Sequence, residues 1–247
     1  MDNSNTVNAE KMFGSGRSFA ATEAYKLLRT NVTFSFSSSV KCPVVGVTSS
    51  LRGEGKSTTA INLANTIAES GKRVLLIDGD MRLPSVADKL SIKLSPGLSN
   101  LLVQGDNISK IIQHFGDMRN LDILTAGEVP PNPSELLSSA RMEELITAAR
   151  DYYDYIVIDL PPVTAVSDAL ALSKLLEGIV LVVRNNYASK GAIKETMRQL
   201  KLVNLKIIGF VSTFAIGSTK SYGKYGKYGK YGKYGKYGYG EKNGVQD

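Results

Sequence analysis

"VVGVTSSLRGEGKSTTAINLANTIAES", residues 44–70, decides how the rest of the chain is read. It opens on an apolar run, VVGVTS, too short for a core helix and rich in β-branched residues, so it predicts a buried strand. It closes on STTAINLANTIAES, whose apolar residues recur at helical spacing and stop before Gly71, a suitable helix terminator. Between them lies SLRGEGKST. The strict phosphate-loop pattern G-x-x-x-x-G-K-[ST] is met at Gly55, Lys56 and Ser57, and Ser50 stands where its first glycine is expected. Glycines let a backbone close around phosphate, and the N–H groups then point inward at the positive end of the following helix. Gly53, Glu54, Gly55, Lys56, Ser57 and Thr58 are therefore the candidate nucleotide contacts, with Lys56 reaching the β- and γ-phosphates.

Outward from this stretch the same alternation repeats. Strands are predicted at 73–78, 121–127, 155–160, 178–183 and 206–212, and helices at about 134–149, 167–177 and 189–202. Most of the strands are unbroken Val/Ile/Leu, as in strands covered on both faces of a parallel sheet. The fold class is α/β, a doubly wound and mostly parallel sheet of the phosphate-loop NTPase kind. A further helix over 20–33 precedes the first strand, with Tyr25, Leu28 and Val32 on an apolar stripe and Glu23, Lys26 and Arg29 on a polar one.

Two acidic elements reinforce the nucleotide reading. LLIDGDMR ends the second strand on Asp78 and Asp80, and YIVIDLPP ends another on Asp159. In a parallel sheet these carboxyl ends share an edge with the phosphate loop. Buried aspartates are costly unless paired or bound to metal. A Mg²⁺ ion held by Ser57, Asp80 and Asp159 supplies that partner.

The bulk properties exclude several function classes. The 247 residues, 43% hydrophobic, suffice for one α/β core. No apolar run approaches the roughly 18 residues that cross a bilayer, and MDNSNTVNAEKMFGSG has no signal-peptide core. The single cysteine, Cys42, reads as a core filler in a reducing compartment. The net charge of +7 is local: residues 220–247 hold seven lysines and two acidic residues, or +5. Residues 1–219 keep 23 basic and 21 acidic side chains, so no nucleic-acid partner is expected. Within the tail, Tyr222, Tyr225, Tyr228, Tyr231, Tyr234, Tyr237 and Tyr239 recur among Gly and Lys. With no aliphatic side chain over 221–240, that segment is expected to be disordered. The predicted organisation is a flexible 1–19, a phosphate-loop domain over 20–216 that includes the 20–33 helix, and a tyrosine-rich 217–247.

Taken together, SSLRGEGKST, LLIDGDMRLP, IVIDLPP and LTAGEVPPNPSELLSS resemble the bacterial tyrosine kinases (BY-kinases) of capsule and exopolysaccharide systems, in their separate cytoplasmic form. The resemblance covers about residues 20–213. The cell-division and plasmid-partition ATPases share the sheet but typically carry a signature lysine where this chain has Leu51. A nucleotide-switched positioning or scaffold ATPase is the alternative. Against the kinase pattern, Arg52 replaces a common proline, Lys26 replaces an arginine of the E-x-x-R-x-x-R helix motif, and Thr213 replaces an asparagine.

The resemblance implies an ATP- and Mg²⁺-dependent protein tyrosine kinase that phosphorylates its own seven tail tyrosines in trans and regulates polysaccharide synthesis or export. It assigns catalysis to Lys56, Asp78 and Asp80, with Asp78 taking the phenol proton, and places Arg82 near the developing charge. It implies a homo-oligomeric ring, an octamer, joined through Glu23, Lys26 and Arg29. It also implies a membrane-spanning adaptor of the polysaccharide co-polymerase type, which would hold the cytoplasmic chain at the inner face of the membrane. Pro130, Pro131 and Pro133 lead into Ser134, read as a helix cap, and His114 is read on a helix face without a role.

Overall fold

A computed structural model describes residues 18–105, 107–114 and 120–214. A seven-stranded sheet runs through it in the order β3-β4-β2-β5-β1-β6-β7. The strands are β1 (Val44–Ser49), β2 (Val74–Asp78), β3 (Gln113–His114), β4 (Leu121–Leu124), β5 (Tyr155–Asp159), β6 (Gly178–Arg184) and β7 (Ile207–Thr213). All neighbours pair in parallel except β3 and β4.

The unbroken apolar character of the strands has its expected cause. In β2, Leu75 and Ile77 enter one core while Val74 and Leu76 enter the other. In β5, Ile156 and Ile158 oppose Tyr155 and Val157 in the same way. Period-two alternation thus serves two covered faces, and every residue of β1, β2 and β5 is buried. The exception is β7, an edge strand whose residues are half-exposed or exposed, because no further strand or helix covers it fully.

Helix α1 (Phe19–Phe34) and helix α2 (Lys56–Ala68) pack on one face, with Val32, Ile61, Leu63 and Ile67 buried there. Gly71 follows α2 with φ 86°, a left-handed turn that glycine adopts without a steric penalty. On the other face the expected helix over 134–149 is two: α6 (Pro133–Leu137) and α7 (Ala140–Ala149). Proline at the first turn starts α6 after Asn132, so Ser134 lies inside the helix and is not its cap. The capping serine is Ser139, whose hydroxyl accepts from the Met142 N–H and starts α7.

The remaining differences are local. Helices α3 (Val86–Leu90), α4 (Leu98–Gln104) and α5 (Ile108–Ile111) fill a region without readable periodicity. The helix expected over 167–177 is only α8 (Asp168–Ala171), which continues as i→i+3 turns such as Ser173 N–H to Leu170 O. Helix α9 (Lys190–Leu202) matches its prediction closely. His114 is on the edge strand β3, not a helix, and its Nδ1 lies 2.7 Å from Asp122 Oδ1. Among the described residues no helix is long and apolar enough to cross a membrane. The seven tail tyrosines and most of the 1–19 segment lie outside the described residues.

Candidate active site

The placement of β5 between β1 and β2 explains why the acidic motifs meet. Asp159 pairs in register with Asp78 on one side and Val47 on the other. The last residues of three parallel strands therefore stand around the start of α2. Gly79 donates its N–H to Asp159 O at 2.8 Å, and a Cβ at Gly79 would lie 2.9 Å from that oxygen. The tight approach of LLIDGDMR to YIVIDLPP depends on this glycine.

The phosphate loop turns at Gly53 (φ 82°) and Gly55 (φ 91°), the latter immediately before α2. Left-handed backbone at both positions accounts for the glycine spacing of the motif. Lys56 Nζ sits 2.7 Å from Asp80 Oδ2, 3.5 Å from Asp159 Oδ1 and 3.4 Å from Ser57 Oγ. Burial works to lower the Lys56 pKa, yet Asp159 and Asp80 outweigh it and raise the value.

The three aspartates differ in how they are satisfied. Asp78 accepts N–H groups from Asp80, Ser85 and Val86 at 3.2, 3.1 and 3.0 Å. Burial, with the nearby Asp159 charge, still pushes its pKa up to about 7. Asp80 accepts from Leu83 N–H at 3.2 Å and pairs with Lys56. Asp159 is fully buried, and neither carboxylate oxygen has a hydrogen-bond donor in good geometry. Burial raises its pKa, opposed chiefly by Lys56.

This orphaned carboxylate is what a divalent cation fits. Among the described residues no three His, Cys, Asp or Glu side chains form a ready-made cage. Magnesium needs none, because it keeps several waters and substrate phosphate oxygens and binds through one or two carboxylates. Asp159, Asp80 and the Ser57 hydroxyl offer that reduced set beside Lys56.

Other residues serve the loop itself. Glu54 is fully buried, and its carboxylate accepts the Leu51 N–H at 2.6 Å and the Arg184 N–H at 3.1 Å. Its side chain thus braces the loop against β6, which leaves only its backbone for phosphate. Ser50, at the missing-glycine position, is hydrogen-bonded through Oγ to Thr196 of α9 at 3.0 Å, and its carbonyl accepts the Thr164 hydroxyl. Thr213 donates its hydroxyl to Glu54 O at 2.7 Å, with its methyl group against Gly55. Thr58 lies in the first turn of α2, its carbonyl accepting from the Asn62 side-chain amide at 2.8 Å.

Arg82 is committed elsewhere than the sequence suggested. Its Nε and Nη2 donate to the two oxygens of fully buried Asp168 at 2.9 and 3.1 Å, and Ser134 hydrogen-bonds to both partners. This clamp joins the LLIDGDMR segment to α6 and α8. Of the three helix-motif residues, Glu23 and Lys26 pair with each other on the surface at 2.8 Å. Arg29 donates to Thr66 O at 3.0 Å and so fastens α1 onto α2 of its own chain.

Residues 44–208 match the AAA domain family. The chain is 38% identical over 190 residues to the tyrosine-protein kinase YwqD of Bacillus subtilis, covering 77% of this chain and 79% of that protein. It is 33% identical over 202 residues to the putative tyrosine-protein kinase CapB of Staphylococcus aureus, covering 81% and 88%. Against the tyrosine-protein kinase etk of Escherichia coli it spans only 26% of the relative's length, at 34% identity and 78% of this chain. The solved kinase domain of that enzyme superposes with a TM-score of 0.74 and 34% identity, over 80% of this chain and 78% of that one. A cell-division ATPase from Pyrococcus furiosus, at 24% identity and TM-score 0.58 over 69% and 71%, shares the fold alone. Matched at 38% and 33% identity over 79% and 88% of YwqD and CapB, the chain belongs to the bacterial tyrosine-protein kinase family.

Proposed function

We propose that this kinase transfers the γ-phosphoryl group of ATP to the tyrosines of its own C-terminal tail, between subunits of a ring. The observation that carries the reading is the meeting of Lys56, Asp80 and the orphaned Asp159 at the mouth of the phosphate loop, with Asp78 beside them. Lys56 and the loop amides hold the phosphates. Ser57, Asp80 and Asp159 would hold Mg²⁺, which neutralises phosphate charge when bound. Asp78 takes the phenol proton as the new O–P bond forms and ADP leaves. A phenol with a pKa near 10 is protonated at neutral pH, so a buried carboxylate poised near neutrality suits that role.

The tail tyrosines Tyr222, Tyr225, Tyr228, Tyr231, Tyr234, Tyr237 and Tyr239 are the proposed acceptors, their flanking lysines drawn to the acidic cleft. Helix α1 supports a ring contact: Phe19, Leu27 and Phe34 are 79%, 51% and 85% exposed beside the Glu23–Lys26 pair. Arg29 contributes by fixing the angle of α1. A membrane-spanning adaptor and a role in capsule or exopolysaccharide production follow the pattern of the family.

The test is to incubate pure protein with Mg-ATP and map mass shifts over 221–240. Phosphate on tyrosine, absent in Asp78→Asn and Lys56→Met proteins, is the expected result. Release of free phosphate without tail modification would establish the positioning ATPase instead.

A further inference from the structure

We infer that Leu83, Val129 and Glu128 form the acceptor side of the active site: the two apolar side chains take the ring of an incoming tail tyrosine, and Glu128 takes the lysine beside it. The inference rests on the reading that the tail of a second copy is the phosphoryl acceptor.

That acceptor offers little to recognise. Apart from Ser221, residues 221–240 are Tyr, Gly and Lys alone, so a site can select only a phenol ring and the charge next to it. The seven tyrosines differ in that charge. Tyr225, Tyr228, Tyr231 and Tyr234 each have a lysine one residue before and another two residues after. Tyr222 and Tyr237 have one of the two. Tyr239 has neither, and Glu241 stands two residues after it.

The topology limits where the ring can enter. Asp78, the proposed proton acceptor, ends β2, and the neighbouring β5 and β1 carry Asp159 and the phosphate loop. On its other side β2 pairs with β4. A phenol that reaches Asp78 beside a bound nucleotide is therefore bounded by the loops leaving β2 and β4. Each loop presents a large apolar side chain to solvent: Leu83, 51% exposed, and Val129, 61% exposed.

Both positions are held by their surroundings. Leu83 donates its N–H to Asp80 Oδ1 at 3.2 Å, and Arg82 beside it is clamped to Asp168. The Arg82–Ser134 contact at 3.1 Å ties this loop to the helix that follows the other. Val129 comes after the left-handed turn at Gly127, whose N–H donates to Leu94 O at 3.1 Å. Pro130 follows it and disfavours helical backbone there. Glu128 adjoins Val129, is exposed, and has no ion-pair partner among the described residues. Two apolar side chains beside a carboxylate complement a tyrosine ring with a neighbouring ammonium. The ring contact serves all seven tyrosines, whereas the carboxylate distinguishes among them.

Two measurements on the full chain test this. In fluorescence anisotropy with Mg-ADP present, a labelled 221–240 peptide should bind at least fivefold more weakly to Leu83→Ala/Val129→Ala and to Glu128→Lys than to the parent. Leu83→Met should bind it as the parent does, and a peptide with every tyrosine replaced by alanine should not distinguish the apolar double variant from the parent. Early in the Mg-ATP reaction, mass mapping should find Tyr225, Tyr228, Tyr231 and Tyr234 modified first and Tyr239 last, and Glu128→Lys should narrow that difference. Parent-like peptide binding by either variant would overturn the site, as would early modification of Tyr239 equal to that of the others. If the parent modifies no tail tyrosine, the kinase reading of the tail falls, and the anisotropy result still decides whether the three residues receive the segment.

Discussion

The Asp159 carboxylate lies 3.5 Å from Lys56 Nζ, and neither of its buried oxygens receives a hydrogen bond. A buried carboxylate is costly there even with Lys56 beside it, and a divalent cation would supply the ligand contact its oxygens lack. Asp159→Asn should change the stability of the nucleotide-free protein little, because relief of the buried charge is offset by loss of the Lys56 contact. The thermal shift produced by Mg-ATP in the parent should largely disappear in the variant. Differential scanning fluorimetry with and without Mg-ATP measures both, and a destabilised variant with an intact Mg-ATP shift would refute the assignment.

Ser50 and Thr196, 146 positions apart, share a buried hydrogen bond that ties the phosphate loop to α9. Ser50→Ala and Thr196→Val should each cost about 1 kcal/mol, and the double variant should cost less than their sum. ATP should bind several-fold more weakly in each, with the maximal rate little changed, because the loop loses its tether and no reacting group is touched. Urea unfolding and ATP titration together check this. Additive losses would show that the two hydroxyls act independently.

Asp168 holds Arg82 by two hydrogen bonds, and Ser134 closes the triangle. Asp168→Asn keeps the shape but halves the acceptor set and leaves the guanidinium without its counter-charge. A loss of about 1–3 kcal/mol is expected in chemical denaturation, with Arg82→Lys recovering little of the wild-type geometry. Unchanged stability in Asp168→Asn would mean that solvent replaces the clamp.

Cys42 is buried, and burial pushes its thiol pKa up to about 11. The thiolate is the reactive form, so at pH 8 only about one molecule in a thousand carries it. A thiol reagent should therefore modify no cysteine in the native protein and one per chain in denaturant. Rapid labelling of the folded protein at pH 8 would contradict the burial.

Much of the fold was readable because its signals are local. Val/Ile runs mark β1, β2, β5 and β6, since a strand covered on both faces must be apolar at every position. The glycines of the loop and the strand-end aspartates were readable for a related reason: parallel strands bring their carboxyl ends to one edge whatever the loops do. That reasoning placed Lys56, Asp78, Asp80 and Asp159 together without coordinates.

The short helices α3, α4 and α5 carry too few turns to show a period, and β3 has two residues. Pro133 displaced the expected cap from Ser134 to Ser139, a choice set by where the chain must turn to cover the core. The pairs Ser50–Thr196, Arg82–Asp168 and Glu54–Arg184 span 146, 86 and 130 positions. Spacing along a chain is silent on such contacts, because hydrogen bonds and charge act through space. Sequence alone settled which residues gather at the strand ends; only packing in three dimensions settled which of them are braced, which are paired, and that Asp159 keeps its carboxylate unsatisfied.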